Sequence, residues 1–130
     1  MRTKILIETL LLGGALAVSV LGAAPARKSA VVNFIRPTIV AGAVAMGPVV
    51  FEHDEEKMAR GESCTTVYRY DPRKNVRGEA IVAFMCVPRD RPVATTFEAT
   101  CARAAIDGPD RLMEYQFAGE REGHGVPHWK

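Results

Sequence analysis

The sequence predicts a mostly β fold: a small antiparallel sheet, sandwich or curled barrel with one short helix, preceded by an N-terminal hydrophobic helix. Three observations carry this. Strand-length runs of β-branched, aromatic and aliphatic residues alternate with turn residues from position 39 onward. One convincing helical stretch stands among them, and it is short. The longest apolar run is confined to the first 24 residues. The chain has 130 residues, 48% hydrophobic and 25% charged, which suits one globular domain and excludes a disordered or collagen-like chain.

The N-terminal run comes first. Met1-Arg-Thr-Lys4 is basic, Ile5 to Ala24 is apolar apart from Glu8, Thr9 and Ser19, and Ala24-Pro25-Ala26 offers small residues at a cleavage site. That order describes a secretory signal peptide. Residues 5–24 also suffice to cross ~30 Å of hydrocarbon, so residues 1–26 are read as a signal peptide or an N-terminal membrane anchor. Either way residues 27–130 are expected outside the cytoplasm, in the periplasm, at the cell envelope or secreted. Without Arg2, Lys4 and Glu8 the rest of the chain carries a net charge of +1. Neither this nor the single Trp suits a nucleic-acid partner.

Residues 27–37 read as a linker or an edge strand, residues 38–118 as the β-rich domain, and residues 119–130 as a polar C-terminal tail. Ile39 to Met46 reads as a strand, Gly47-Pro48 as a turn or bulge, and Val49 to Glu52 as its continuation. His53 to Arg60 is the helix. Acidic residues fill its first turn and basic ones its last, Glu56 and Arg60 stand four apart, and Gly61 is a stop. Its acidic residues lack calcium-loop spacing.

Cys64 to Tyr70 and Ala80 to Val87 then read as a hairpin around Pro72, Asn75 and Gly78. Folded about Asn75, the strands pair residues whose numbers sum to 150. Cys64 then faces Cys86, Thr66 faces Phe84 and Tyr68 faces Val82. Directly opposed Cα atoms lie ~4.5–5.5 Å apart, within reach of a disulfide, so a Cys64–Cys86 bridge is expected. Cys101 is the remaining or alternative thiol. It shares parity with Val93, Thr95, Phe97 and Ala99, which points it inward as a small buried hydrophobe. Leu112 to Phe117 is a further strand, after the loop signalled by Asp107-Gly108-Pro109.

Catalytic signatures are missing: the chain has no G-x-S-x-G, no phosphate-binding glycine loop, no H-E-x-x-H and no C-x-x-C. No catalytic residue and no cofactor are assigned. His53, His124 and His128 are the candidate metal ligands, a three-nitrogen set, although Pro127 and two glycines speak against a helix aligning the last two. The stretch from Val50 to Tyr68 looks like the approach to a haem motif of small multihaem c-type cytochromes. Val67 and Tyr68 stand where that motif needs its second Cys and its His, so covalent haem is excluded there.

The functional expectation is an exported, non-enzymatic binding or structural domain of the cell envelope. The alternative is a single-span accessory subunit of a membrane protein complex, held by residues 5–24 and contacting an unidentified protein partner. A third reading is a metal- or ligand-binding, enzyme-like protein built on the histidines.

Overall fold

The computed structural model describes residues 26–103 and 106–128. Among them the order is β1 (Arg27–Val40), β2 (Ala43–Asp54), α1 (Glu55–Ala59), β3 (Thr65–Asp71), β4 (Val76–Phe84), β5 (Val87–Asp90), β6 (Glu98–Ala102), β7 (Asp110–Gln116) and β8 (Glu122–Gly125). They form one eight-stranded sheet in the order β4-β3-β2-β1-β7-β8-β5, with β6 on the other side of β7. The ends β4 and β5 do not pair, so this is a curled sheet and not a closed barrel. The domain is mostly β with one short helix, as the sequence predicts. The sheet is mixed, however, and larger than expected, because β1 and β7 run parallel.

That parallel contact is the joint of the fold. One group, β1 to β4, is an antiparallel meander. The other group is β7 with β6 and β8, and β5 on β8. Among the described residues only the pairs Thr38↔Asp110 and Ile39↔Arg111 join a strand of one group to a strand of the other. The rest of the union is side-chain packing. Phe51 of β2 lies 5.1 Å from Tyr115 of β7 and 5.5 Å from Phe97, and Phe97 lies 5.3 Å from Phe117, centroid to centroid. Such tilted pairs contribute about 0.5–1.5 kcal/mol each beyond their buried area. Leu112, Val40, Val49 and Val67 fill the same core.

Several local expectations are corrected. The run Ile39–Met46 is not one strand. It folds back at Ala41 and Gly42, whose φ angles of 48° and 89° are the left-handed pair that a two-residue hairpin needs. Of the two readings of Arg27–Pro37, the linker is the one corrected: the segment is the first part of the long strand β1, paired with β2 on one side only, with a bulge between Phe34 and Thr38 that accommodates Pro37. Gly47 takes φ 83° while β2 continues through it. The C-terminal segment read as a tail holds β8. Helix α1 is shorter than His53–Arg60. Asp54 caps it by accepting the backbone N–H groups of Glu56 and Lys57 at 2.9 and 3.2 Å.

The β3–β4 hairpin exists, but its register is shifted. Thr65 faces Phe84, Val67 faces Val82, Tyr68 faces Ala80 and Tyr70 faces Arg77. Two irregularities place extra residues on β4, so a single sum rule fails. The turn is tighter than expected and centred before Asn75, with Asp71 opposite Val76 and Asn75 at φ 53°. The expected Cys64–Cys86 disulfide is not formed. The two sulfurs lie 3.0 Å apart and unbonded, and all three cysteines are free. Cys101 is exposed, not inward, and beside it the β6–β7 register slips by one through an extra residue, Met113, on β7. The same irregularity leaves Met113 at the surface while Leu112 and Tyr115 are buried. Among the described residues no helix is long and apolar enough to cross a membrane. The anchor or signal peptide assigned to residues 1–26, with its apolar run 5–24, lies outside the described residues but for Ala26.

Candidate metal centre

The joint between the two strand groups carries a buried cluster of nitrogen and sulfur donors. His53 is the penultimate residue of β2, which pairs with Thr65 across to β3. Its ring is fully buried because β2 passes through the core before reaching the cap of α1. His124 sits in the middle of β8, opposite Tyr115 of β7 on one side and Pro88 of β5 on the other. Flanking glycines let β8 lie this close. A Cβ at Gly123 would collide with the Glu114 carboxylate, and one at Gly125 would lie 2.9 Å from Arg89 Nε. Cys86 lies in the short irregular link between β4 and β5, where the chain crosses from one strand group to the other.

One ligand atom from each of His53, Cys86 and His124 falls within a 4.8 Å sphere of mutual distances. Cys86 Sγ is 3.8 Å from His53 Nδ1 and 3.4 Å from His124 Nδ1. Around a tetrahedral zinc, with ~2.0–2.1 Å to nitrogen and ~2.3 Å to sulfur, the nitrogen–sulfur edge is ~3.6 Å. The two observed edges bracket that value. The imidazole centroids are 4.3 Å apart.

The remaining ring nitrogens define the tautomers. His53 Nε2 is 2.9 Å from Glu55 Oε2. That proton therefore sits on Nε2, and the Nδ1 lone pair faces the cluster. Glu55 is itself 3.8 Å from Lys28 Nζ, and Lys28 also pairs with Glu120. A carboxylate behind a histidine is the usual arrangement that orients a metal-bound imidazole and raises its basicity. The Tyr115 hydroxyl, 3.3 Å away, donates to His53 Nδ1. Thr65 Oγ1 is hydrogen-bonded to Tyr115 and lies 3.4 Å from the same nitrogen. At His124 the Cys86 thiol can donate to Nδ1, which leaves the proton on Nε2. That nitrogen is buried without a partner. The ring stacks on Tyr115 at 4.8 Å and 19°.

Burial dominates the electrostatics. It lowers the His124 imidazole to about 4, with the positive charge of Lys28 adding to the effect. It raises the Cys86 thiol to about 12, and the hydrogen bond and charge of Cys64 push the same way. It also raises the Tyr115 hydroxyl. A buried thiol held protonated this firmly is a poor nucleophile, whereas a metal ion can displace its proton.

Of the three histidines singled out from the sequence, the structure brings His53 and His124 together. His128 is exposed and stands apart from the cluster. Cys86 replaces it as the third donor. The sequence reading missed that role because it assigned this sulfur to a bridge. A usable signal was present: Val87-Pro88, directly after Cys86, begins the strand that pairs with Gly123-His-Gly125. Comparison with protein-family models, with curated proteins and with solved structures returns no match.

Proposed function

We propose that the domain binds one transition-metal ion through His53 Nδ1, His124 Nδ1 and Cys86 Sγ, and that the ion ties the two strand groups together. The carrying observation is the convergence of three unrelated chain segments on donor atoms within 4.8 Å of one another, with both imidazoles fully buried. Two imidazoles and a thiolate suit borderline to soft ions, zinc or copper, more than calcium or magnesium. The full burial of both imidazoles suits an ion that is held rather than one that meets a bulky substrate. The weak backbone joint gives the ion a purpose, because a ligand bound only by the folded state stabilises that state.

The test is zinc analysis of the reduced, full chain after loading and desalting. The expected result is about one ion per chain, falling sharply in His53→Gln, His124→Gln and Cys86→Ser. Circular dichroism verifies that each variant is folded. Zinc content no higher than in a denatured control overturns the proposal.

The cell-envelope location, whether as a free domain or as an anchored subunit, is a separate proposal, supported by the order of residues 1–26 alone. Intact-mass measurement of the chain recovered from its native host tests it. A mass beginning near Arg27 supports export with cleavage, and one beginning at Met1 in the membrane fraction supports the anchored subunit. An intact chain in the soluble fraction overturns both.

A further inference from the structure

Resting on the three-donor reading above, we infer that Cys64 is a fourth ligand, which completes a two-cysteine, two-histidine set and makes the site selective for a divalent ion. Cys64 is buried immediately before β3, and its carbonyl accepts the Asp54 amide at 2.8 Å. Its backbone is thereby tied to the strand that carries His53. Its sulfur lies 3.0 Å from Cys86 Sγ. The other contacts of that sulfur are loose: 4.0 Å to Phe84 O, 4.0 Å to Thr65 Oγ1 and 3.4 Å to the Cys86 amide. None of them holds the side chain against a small rotation. Two sulfurs on one tetrahedral zinc stand ~3.8 Å apart, so the pair must open by somewhat under ~1 Å, and the Cys64 sulfur, outside the three-donor group, must turn towards the imidazoles to reach the ion. The Cys86 N–H then donates to the Cys64 thiolate, the kind of outer hydrogen bond that ligating sulfurs commonly receive.

Charge decides the selectivity. An ion at this depth is favoured only if the site as a whole is close to neutral. With Cys86 as the sole thiolate the neutral complex is that of a monovalent ion such as copper(I). With Cys64 added, two thiols each release a proton to solvent and two thiolates balance a 2+ ion. Cys64 therefore determines which oxidation state and which metal the site prefers. Four protein ligands also leave no open position, which matches the burial.

The experiment uses cobalt(II) as a spectroscopic stand-in for zinc, added to the reduced full chain. The thiolate-to-cobalt charge-transfer band in the near ultraviolet grows with the number of bound sulfurs. The expected result is that Cys64→Ser binds cobalt with about half the wild-type band intensity per ion and shifts its preference from zinc toward copper(I) in competition. A full-strength band in Cys64→Ser overturns the fourth ligand and leaves the three-donor site standing. If wild-type protein binds neither cobalt nor zinc, the three-donor reading falls and this inference with it. A measurement on wild-type protein alone guards against a variant that misfolds. Zinc binding at pH 7 should release about two protons per ion into a weakly buffered indicator solution, and release of only one overturns the role of Cys64.

Discussion

Part of the stability that the domain loses in acid should come from one residue, His124. Its imidazole is held at about 4 in the folded chain, chiefly because it is buried. Its ordinary value is about 6.5. The unfolded chain therefore takes up the proton first as pH falls, and the folded state is penalised in that window. Stability is complete above pH 6.5 and declines as pH drops toward 4. At ~1.36 kcal/mol per factor of ten the loss is at most about 3 kcal/mol. That is a large share of the ~5–15 kcal/mol that holds a typical domain together. The perturbation is His124→Gln, which removes the titrating ring. Urea unfolding in the presence of a chelator, at pH 7.0, 5.5 and 4.5, supplies the stabilities. Replacing the ring changes packing at every pH, so the readout is how the wild-type minus variant difference varies with pH. Carboxylates such as Glu62, lowered by its pairing with Arg60, titrate in both proteins and largely cancel in the difference. The difference should fall by about 1–3 kcal/mol between pH 7.0 and 4.5. A difference that stays constant to within about 0.5 kcal/mol would refute the claim that this ring is buried and neutral.

Further outcomes are expected elsewhere. Phe51→Ala removes the ring that meets Phe34, Phe97 and Tyr115 and should cost about 3–5 kcal/mol in chemical denaturation, because the joint between the strand groups cannot collapse to fill the cavity. Glu55→Ala removes the carboxylate behind His53 and should weaken zinc binding by about 10–100-fold in a competition titration without changing the number of ions bound. Thiol labelling of the folded, zinc-loaded chain should modify only Cys101. Its reaction should accelerate with rising pH, since burial and Asp110 raise its thiol. Cys64 and Cys86 should react only after unfolding and chelation, and rapid labelling of all three in the folded state would contradict their burial.

The periodic features of the chain were largely legible in its residues. The strand-rich character, the short helix with its acid-first polarity, and the β3–β4 hairpin all follow from local chemistry: β-branched runs, an Asp cap and turn residues act over a few neighbours. Register was not legible, because a bulge costs little locally and is selected by what packs on the far side. A turn centred between positions 73 and 74 shifts the β3–β4 register by three, the two extra residues on β4 restore two of these, and Cys64 is left one position out of step with Cys86, while an extra residue on β7 shifts the register beside Cys101.

The candidate centre divides along the same line. By itself the sequence determined that His53 and His124 were potential ligands and that Cys64 and Cys86 would approach one another through a hairpin. Only the tertiary structure decided that His124 belongs with His53, that His128 does not, and that Cys86 stands between the two imidazoles. The reason is physical. The parallel contact of β1 with β7 brings β8 and its histidine against the end of β2, 71 positions away in the chain. A contact of that span is set by the burial of Phe51, Leu112 and Tyr115 in one core, and not by any spacing a reader of the sequence can count.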